Sequence, residues 1–361
     1  MSRPKLKICA ITSVLLLAGL VLLFNCSGPD TTPVFPGSYK FLFVNAGQLY
    51  WVNSAGSKTM VTVSGKSGTF SSPSFYYGDN GSQYSFIFKE GDSSHLYVSE
   101  NESSAPLAIP GYPEVRKCRW RPPNSANVKE IAVAVEDSNG TFRVLTVYAS
   151  NGEINLRVER SFSAPPDIRW NIDGEILFIM ERDLAARTGD SALIFRLSNG
   201  PTPAALSGLG CGILAMTSVF NDSLLLVSQL CPDSNYLSTQ AFDNSYPCNI
   251  TLGQVLITSF AYNGGTLFYS DGQNLVGLSP AYLENIKNCN PPLIVPEMIE
   301  VSCTEVLQVS PDGEWVFYLT GSKSFMCYKM NEDPNNKQSV EVPLEATGLN
   351  SNLADIFVLN D

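Results

Sequence analysis

The sequence predicts an all-β fold built from repeated units, and three features support this prediction. After the N-terminal segment, no stretch keeps the 3.6-residue apolar period of an amphipathic helix. Short runs of β-branched and aromatic residues alternate with turns rich in Gly, Asn and Asp, which is typical of strands joined by hairpins. The same order of runs and turns returns about every 40–50 residues, a spacing typical of repeat architectures.

The clearest copy of the unit lies near the C-terminus. Residues 306–309 and 315–319 are runs of mainly β-branched and aromatic residues, and Ser-Pro-Asp-Gly at 310–313 separates them. An Asp-Gly pair between two such runs favours a hairpin, because Gly takes a positive φ without steric cost. We therefore interpret Asp312 as a turn residue and not as a Ca²⁺ ligand, since its loop lacks the alternating acids of a calcium site.

The repeat can be measured from the last large residue of the first run in each unit. The successive steps are 45, 50, 50, 40 and 49 residues. A period of this length, with three or four short strands per unit, is typical of a β-propeller, in which four-stranded sheets surround a channel. The marker residues are Phe75, Trp120, Trp170, Phe220, Phe260 and Val309.

The two ends of the repeat region complement each other. Residues 39–44, 48–52 and 59–63 supply a second, third and fourth strand, but no first strand precedes them. Residues 353–361 form a first strand with nothing after it. We therefore expect a seven-bladed propeller whose C-terminal strand is the innermost strand of the first blade, which removes exposed sheet edges. Six blades remain the alternative if the weakly patterned unit at 214–243 is irregular.

The hairpin at 310–313, with a partial copy (Asn-Ile-Asp-Gly) at 171–174, resembles the repeated hairpin of TolB-type, WD-repeat-like propellers. The resemblance covers about residues 38–361. It implies an architecture, and this architecture hosts many functions.

The first 25 residues have the layout of a signal peptide. Three basic residues precede 17 uncharged residues at 8–24. Leu-Leu-Phe-Asn-Cys at 22–26 then resembles a bacterial lipobox, in the relaxed form of spirochaete-type lipoproteins because Asn25 stands where Ala or Gly is usual. The resemblance implies acylation of Cys26. Since 17 residues approach the length of a membrane span, an uncleaved signal anchor and an unlipidated secreted protein remain alternatives.

Residues 26–38 are predicted to be a Pro-rich tether and residues 39–361 the propeller. Three prolines in this tether disfavour helix and central strand. A lipid on Cys26 would hold the propeller at the cell envelope, at the outer membrane, facing either the periplasm or the surface. Six Asn-x-Ser/Thr triplets keep open a eukaryotic signal-anchored ectodomain, although this number is near chance in a chain so rich in Asn, Ser and Thr.

The charge balance restricts the partners. The formal net charge is −11, and without the three basic residues of the first 25 the chain has 20 basic and 34 acidic residues, or about −14. A surface this acidic repels polyphosphates and anionic lipids, so we expect no nucleic-acid binding and no direct membrane binding apart from the lipid.

Arginines near two of the marker residues are candidate ligand-binding residues. Arg119 and Arg169 each precede a marker tryptophan, so they occupy the same position in successive units, and Arg121 lies close by. If these side chains face the channel, they could bind a carboxylate or phosphate through paired hydrogen bonds. The alternative is a structural salt bridge between blades, for instance with Asp167 or Glu114.

Seven cysteines follow Cys26, which suggests disulfides in an exported chain. Their spacing suggests the pairs Cys231–Cys248 and Cys289–Cys303, and the odd number leaves at least one thiol. Buried thiols are the alternative for the whole set. No Cys-x-x-Cys occurs, which disfavours zinc and thioredoxin-like sites.

The remaining candidates are one histidine and one aromatic loop. His95 is the single histidine, so we interpret it as an ordinary strand residue and expect no multi-histidine metal site, no catalytic triad and no cofactor. The segment 232–254 is predicted to be a long loop that presents Tyr236, Phe242 and Tyr246 to a partner. A loop insertion without a function is the alternative.

These features favour a monomeric, lipid-anchored binding scaffold with an envelope or extracellular protein as its partner. The alternative is a propeller-type enzyme, a lyase or glycosidase with a site at the channel mouth. No pair of catalytic acids can be chosen from the sequence.

Overall fold

The structure is a computed structural model. It describes residues 39–358 except 53–57, 79–81, 101–102, 124–127, 172–173, 182–190, 197–203, 206–211, 220–223, 232–233, 242–247, 254, 264, 289–296, 311–314, 322–323, 331–338 and 342–353. The chain divides into two compact units, Met1–Phe35 and Pro36–Asp361, and the described residues all belong to the second. No helix in the described ranges is long and apolar enough to cross a bilayer.

The described strands form seven antiparallel sheets of four strands each, numbered here in chain order. Sheet 1 contains β1 (Tyr39–Asn45), β2 (Gln48–Val52), β3 (Lys58–Met60) and β28 (Ala354–Val358). Sheet 2 contains β4 (Thr69–Phe75), β5 (Gln83–Glu90), β6 (Ser93–Glu100) and β7 (Ser103–Pro106). Sheet 3 contains β8 (Glu114–Trp120), β9 (Glu130–Glu136), β10 (Phe142–Tyr148) and β11 (Ile154–Arg157). Sheet 4 contains β12 (Asp167–Trp170), β13 (Ile176–Glu181), β14 (Ser191–Arg196) and β15 (Ala204–Ala205).

The last three sheets have the same strand order. Sheet 5 contains β16 (Gly212–Val219), β17 (Leu224–Leu230), β18 (Asn235–Ala241) and β19 (Cys248–Gly253). Sheet 6 contains β20 (Ser259–Asn263), β21 (Thr266–Ser270), β22 (Asn274–Leu278) and β23 (Glu297–Ser302). Sheet 7 contains β24 (Glu305–Val309), β25 (Trp315–Leu319), β26 (Phe325–Lys329) and β27 (Ser339–Glu341). The unit at 214–243, on which the six-bladed alternative depended, contains strands β17 and β18 of the four-stranded sheet 5.

Sheet 1 joins the two ends of the described chain. Its strand order is β28-β1-β2-β3, and β28 pairs antiparallel with β1, with Phe41 opposite Ile356. The predicted pairing of a C-terminal strand with the first strand is therefore present. The Phe41 ring also makes edge contacts with Phe317 at 5.6 Å and Phe325 at 5.3 Å between centroids, so sheet 1 packs against sheet 7.

The core lies between neighbouring sheets. Within the part of the chain that the structure describes, six apolar clusters each combine residues of two consecutive sheets, from sheets 1 and 2 to sheets 6 and 7. Strand β13 shows the cause: Ile176 and Phe178 pack towards sheet 5, whereas Leu177 and Ile179 pack towards sheet 3. Because side chains alternate between the two faces of a strand and both faces are covered, the second strands read as continuous apolar runs.

Ser310 and Asn171 each follow the first strand of a sheet and make equivalent hydrogen bonds. Ser310 Oγ accepts a hydrogen bond from the Trp315 N–H at 2.9 Å, and Asn171 Oδ1 accepts one from the Ile176 N–H at 2.9 Å. The first residues of the two motifs that carried the resemblance therefore make the same kind of hydrogen bond. Asp312 lies outside the described residues.

One helix was not predicted. Helix α1 (Pro280–Lys287) lies between β22 and β23 and buries Tyr282, Leu283 and Ile286. Eight residues are too few to show a sustained apolar period. The signal that could have found it is Ser279 before Pro280, because Ser is a favoured N-cap and Pro a favoured first helical residue. Ser279 Oγ accepts from the Tyr282 N–H at 3.3 Å.

Candidate functional site

Arg119 is bonded to the neighbouring sheet. Its guanidinium Nη1 donates to the Pro73 carbonyl at 2.9 Å and to the Cys118 carbonyl at 3.3 Å. Pro73 belongs to β4 of sheet 2, so the side chain connects the first strands of sheets 2 and 3. This geometry supports the structural alternative for Arg119, and its role as a ligand-binding residue stays a prediction.

Arg121 is buried and connects sheets 3 and 4. Nη1 donates to the Glu130 carboxylate at 2.5 Å, Nε to the Gly174 carbonyl at 2.7 Å, and Nη2 to the Glu175 carboxylate at 3.1 Å. The guanidinium carbon lies 5.6 Å from the centre of the Trp170 ring, within cation–π range. These contacts orient all three nitrogens of Arg121 towards protein groups.

Arg169 lies on β12 opposite Phe178 and is half-buried. The adjacent Trp170 donates its indole N–H to the Arg119 carbonyl at 3.2 Å. Lys117 forms an ion pair with Asp167, the first residue of β12. Sheets 3 and 4 are therefore joined by Arg121, a predicted ligand-binding residue, and by the neighbouring side chains of Lys117 and Trp170.

A strained serine supports the same region. Ser72 has a φ of +51°, which side-chain-bearing residues rarely adopt. Its hydroxyl donates to the Cys118 carbonyl and accepts from the Cys118 N–H, both at 3.0 Å. Ser74 Oγ likewise accepts from the Trp120 N–H at 3.1 Å. These hydrogen bonds connect the first strand of sheet 2 with the first strand of sheet 3. They also offset the backbone strain at Ser72.

The segment predicted to be a partner loop is mostly strand, so this part of the prediction is wrong. Tyr236 lies within β18, half-buried, opposite Gln229 on one side and Thr251 on the other. Tyr, Leu and Thr in 235–241 are residues that occur often in strands, a signal that the length of the segment obscured. Phe242 and Tyr246 lie outside the described residues.

The predicted cysteine pairs are wrong. Cys303 is a buried thiol, so it does not pair with Cys289, which lies outside the described residues. Cys231 and Cys248 are both disulfide-bonded, but not to each other. Leu230, next to Cys231, pairs with Asn235 of β18, whereas Cys248 pairs with Thr239, about 13 Å further along that strand and beyond the reach of a disulfide. The spacing of the cysteines predicted the wrong pairs because it does not show which ends of the strands meet. Cys26 also lies outside the described residues.

A groove of about 520 Å³ lies where sheet 2 connects to sheet 3. The sequence did not predict this groove, although His95 lies in strand β6, as predicted. The connection carries Pro-Gly at 110–111 between the bridged residues Ile109 and Tyr112, a turn signal that marks this corner. The lining residues are His95, Leu96, Leu107, Ala108, Ile109, Gly111, Tyr112, Pro113 and Val115.

The walls of the groove are apolar and firmly supported. Leu96, Ile109, Tyr112 and Val115 belong to the buried cluster between sheets 2 and 3. Gly152, with a φ of +72°, approaches so closely that a Cβ there would lie 2.1 Å from the Ala108 carbonyl oxygen, so glycine is required.

Charged groups lie beside the groove. Glu114 accepts from the Ser94 N–H and from the Ser94 hydroxyl, both at 2.8 Å. Burial alone would raise the pKa of Glu114, but the two Ser94 hydrogen bonds and the charges of Arg116 and His95 lower it overall. Arg116 is the extra residue of a β-bulge in β8 and pairs with Glu136 at 2.6 Å.

On the outer side, the Arg157 guanidinium lies 5.7 Å from the Tyr112 ring. The groove thus combines an apolar floor, one imidazole and a charged margin. Such a site can hold apolar side chains and orient them by polar contacts.

The fold is similar to several solved structures. The Dos1 propeller matches with a TM-score of 0.58 and 12% identity, covering 81% of this chain and 76% of that one. Hydrazine synthase of Kuenenia stuttgartiensis matches with a TM-score of 0.52 and 11% identity, covering 82% and 89%. TolB of Acinetobacter baumannii matches with a TM-score of 0.45 and 12% identity, covering 78% and 69%.

No protein-family model matches the chain, and no curated protein matches it either. At identities this low, similarity establishes the fold alone. The chain is an all-β protein with a propeller-like fold, as the repeat predicted.

Proposed function

We propose that the protein is a lipid-anchored binding scaffold of the cell envelope that holds a protein partner at the groove around His95 and Tyr112. The groove is the observation that carries this proposal. Its walls belong to a buried cluster between two sheets, so its shape is held in place before a partner arrives.

The scaffold in this proposal is a closed ring of seven blades. Three contacts support closure: β28 pairs with β1, Phe41 packs against Phe317 and Phe325, and Gln308 Nε2 of sheet 7 lies 3.4 Å from Tyr77 Oη beside sheet 2. The last contact links the two sheets that would flank blade 1.

The occupant we propose is a group of two or three apolar side chains of a basic envelope or extracellular protein. The volume suits two or three apolar side chains, and the lining is mainly Leu, Ile, Val and Tyr. The excess of 34 acidic over 23 basic residues favours a partner with positive charge around its apolar anchor.

Two matched substitutions test the groove. Ala108 lies in the groove lining and Ala281 lies on α1, and both are exposed, so a glutamate at either place adds the same charge without filling the core. The tagged full-length chain, solubilised in detergent, is incubated with envelope extract, and bound proteins are quantified by mass spectrometry. We expect a basic protein that wild type and Ala281→Glu retain and that Ala108→Glu recovers at least about tenfold less.

Equal recovery of that protein by all three chains would reject the groove as the contact surface while leaving a scaffold that binds elsewhere. Recovery of no protein above the bare resin would reject the scaffold itself.

The anchor is tested separately. Cys26→Ala should abolish labelling with a fatty-acid analogue and release the chain into the soluble fraction, because stable attachment depends on the acyl chains. Labelling and membrane attachment equal to those of wild type would reject lipidation at this residue.

The enzyme alternative is less favoured. An enzyme that used arginines at the channel mouth would need guanidinium groups that meet a ligand, whereas Arg119 and Arg121 donate to Pro73, Glu130, Gly174 and Glu175.

A further inference from the structure

A cation beside the groove is left available by the protein itself. Arg157 is an exposed residue of β11, and its guanidinium carbon lies 5.7 Å from the centre of the Tyr112 ring. Among the residues that the structure describes, Arg157 makes no hydrogen bond and no ion pair, and the Tyr112 hydroxyl has no hydrogen-bond partner. A guanidinium and a phenol both donate hydrogen bonds. Two donors beside the groove are therefore available to a ligand.

The strand pattern directs Arg157 towards the groove. Leu156 packs with the cluster between sheets 3 and 4. Because successive side chains of a strand point to opposite faces, Arg157 projects towards sheet 2, where Tyr112 packs with the cluster between sheets 2 and 3. Tyr112 also lines the groove. The guanidinium therefore adjoins the apolar lining.

Glu114, the acidic residue beside the groove, is already engaged. Its carboxylate accepts two hydrogen bonds from Ser94 at 2.8 Å and lies 3.7 Å from the Arg116 guanidinium. It does not pair with Arg157, and the charge of Arg116 reduces its repulsion of an incoming anion.

These features favour a carboxylate as the polar group of the ligand. A planar guanidinium binds a carboxylate through two parallel hydrogen bonds. The net charge of −11 disfavours a doubly charged group, such as a phosphate monoester, more than a single carboxylate. Because the adjoining lining is apolar, the carboxylate should be attached directly to an apolar group.

We propose that the groove binds the C-terminal end of its partner chain, with the terminal carboxylate on Arg157 and Tyr112 and the last side chains on the apolar lining. This inference rests on the function proposed above and specifies which part of the partner is bound. A C-terminal residue carries its carboxylate and its apolar side chain on one Cα, so it fits a cation and an apolar surface that adjoin. An internal Asp or Glu does not, because in an extended chain its apolar neighbours point to the opposite side.

Synthetic peptides test the chain end directly. Each peptide carries lysines followed by a mixture of Leu, Ile, Val and Phe at its last positions. It is prepared as the free acid, as the C-terminal amide, and as an amide that ends in Glu. Binding of the fluorescently labelled peptides to the full-length chain in detergent is measured by anisotropy. We expect the free acid to bind about tenfold more tightly than either amide, because hydrogen bonds to a charged acceptor are the stronger ones.

Two arginine substitutions locate the bound carboxylate. Arg157→Gln should weaken binding of the free acid about tenfold and leave binding of both amides unchanged. Arg160→Gln is the matched control, because Arg160 is also exposed, lies 5.8 Å from the Phe162 ring and pairs with Glu181 at 3.6 Å. It removes the same charge nearby and should leave binding of all three peptides unchanged.

Equal affinity for the free acid and either amide would overturn the chain-end proposal. Equal weakening by Arg157→Gln and Arg160→Gln, or no binding of any peptide, would also overturn it. The groove itself is judged separately by Ala108→Glu, which should weaken binding of all three peptides. If Ala108→Glu does so while the free acid and the amides bind equally, the groove stands and only the chain-end inference fails. If no peptide binds, recovery of proteins from envelope extract still decides the proposed function.

Discussion

The Arg121 guanidinium donates to the Glu130 carboxylate at 2.5 Å, and both side chains are buried. Glu130 also accepts a hydrogen bond from the Asn155 amide. Arg121 extends this cluster into sheet 4 through the Gly174 carbonyl. Because the two charges are removed from water, each depends on the other, and loss of one leaves an uncompensated buried charge.

Arg121→Ala should lower the free energy of unfolding by about 3–5 kcal/mol, because it leaves Glu130 charged and buried. Urea unfolding at neutral pH, followed by intrinsic fluorescence, measures this change. The double variant Arg121→Met with Glu130→Leu should recover much of the loss, since it removes both charges.

Arg143→Ala is the matched control. Arg143 pairs with Asp137 at 3.6 Å and is more exposed, so its loss should cost less than about 1 kcal/mol. Equal losses in Arg121→Ala and Arg143→Ala would show that the buried pair has no special role.

Phe41→Ala tests the packing of sheet 1 against sheet 7. The ring is 1% exposed and touches Phe317 and Phe325. Removing it should cost about 3–5 kcal/mol in the free energy of unfolding through lost burial and a cavity. Met60→Ala, at a side chain that is 50% exposed, should change it by less than about 0.5 kcal/mol. If Phe41→Ala and Met60→Ala unfold at the same urea concentration, the packing of sheet 1 against sheet 7 does not stabilise the protein.

Deletion of residues 353–361 tests the pairing of β28 with β1. The truncation removes five paired positions and exposes the edge of β1. We expect the free energy of unfolding to fall by about 3 kcal/mol or more, because several ladder hydrogen bonds are lost together with packing. Deletion of 359–361 alone leaves β28 whole and should unfold like the parent. If the longer truncation also unfolds like the parent, the pairing does not stabilise the domain.

The lowered pKa of Glu114 predicts that the protein loses stability in acid. Its folded pKa is lowered below the ordinary value of 4.5. The carboxylate therefore stabilises the fold above about pH 4.5, and this contribution disappears as the pH falls through the folded pKa. The urea midpoint, measured between about pH 7 and pH 3, should fall less steeply for Glu114→Gln than for wild type. If the urea midpoints of wild type and Glu114→Gln fall equally with pH, the lowered pKa of Glu114 is contradicted.

Cys303 should be unreactive in the folded protein. Burial raises the pKa of its thiol to about 12, so almost no thiolate exists near neutral pH. Alkylation followed by mass spectrometry should label Cys303 only after denaturation. Labelling in the native state at a rate close to that of a small free thiol would contradict the buried position.

Several elements of the fold were predictable because their signals are local. Strand β25 is a continuous run of apolar residues next to a Gly-containing turn, and its equivalents recur at regular intervals. The strand at 354–358 could be assigned by counting, since the first sheet lacked a first strand in the sequence. Helix α1 was missed because eight residues give too little pattern, although Ser279-Pro280 marks its start.

The candidate site was less predictable, because its residues meet through packing between sheets. Arg121 and Gly174 are 53 positions apart, and nothing near either residue in the sequence announces the contact. The groove forms where β6 meets the connection from β7 to β8, so His95 and Tyr112 acquire a common surface only in the folded chain.

The sequence by itself determined the all-β character, the hairpins and the repeat, since strand and turn preferences depend on a few neighbouring residues. It also marked the basic residues beside Trp120 and Trp170. Only the tertiary structure decided that Arg121 is paired inside the protein and that an apolar groove adjoins His95. It also decided that Cys231 and Cys248 lie beside different positions of β18, four residues apart. These outcomes depend on strand register and on which sheets touch, and both are set by the packing of distant segments.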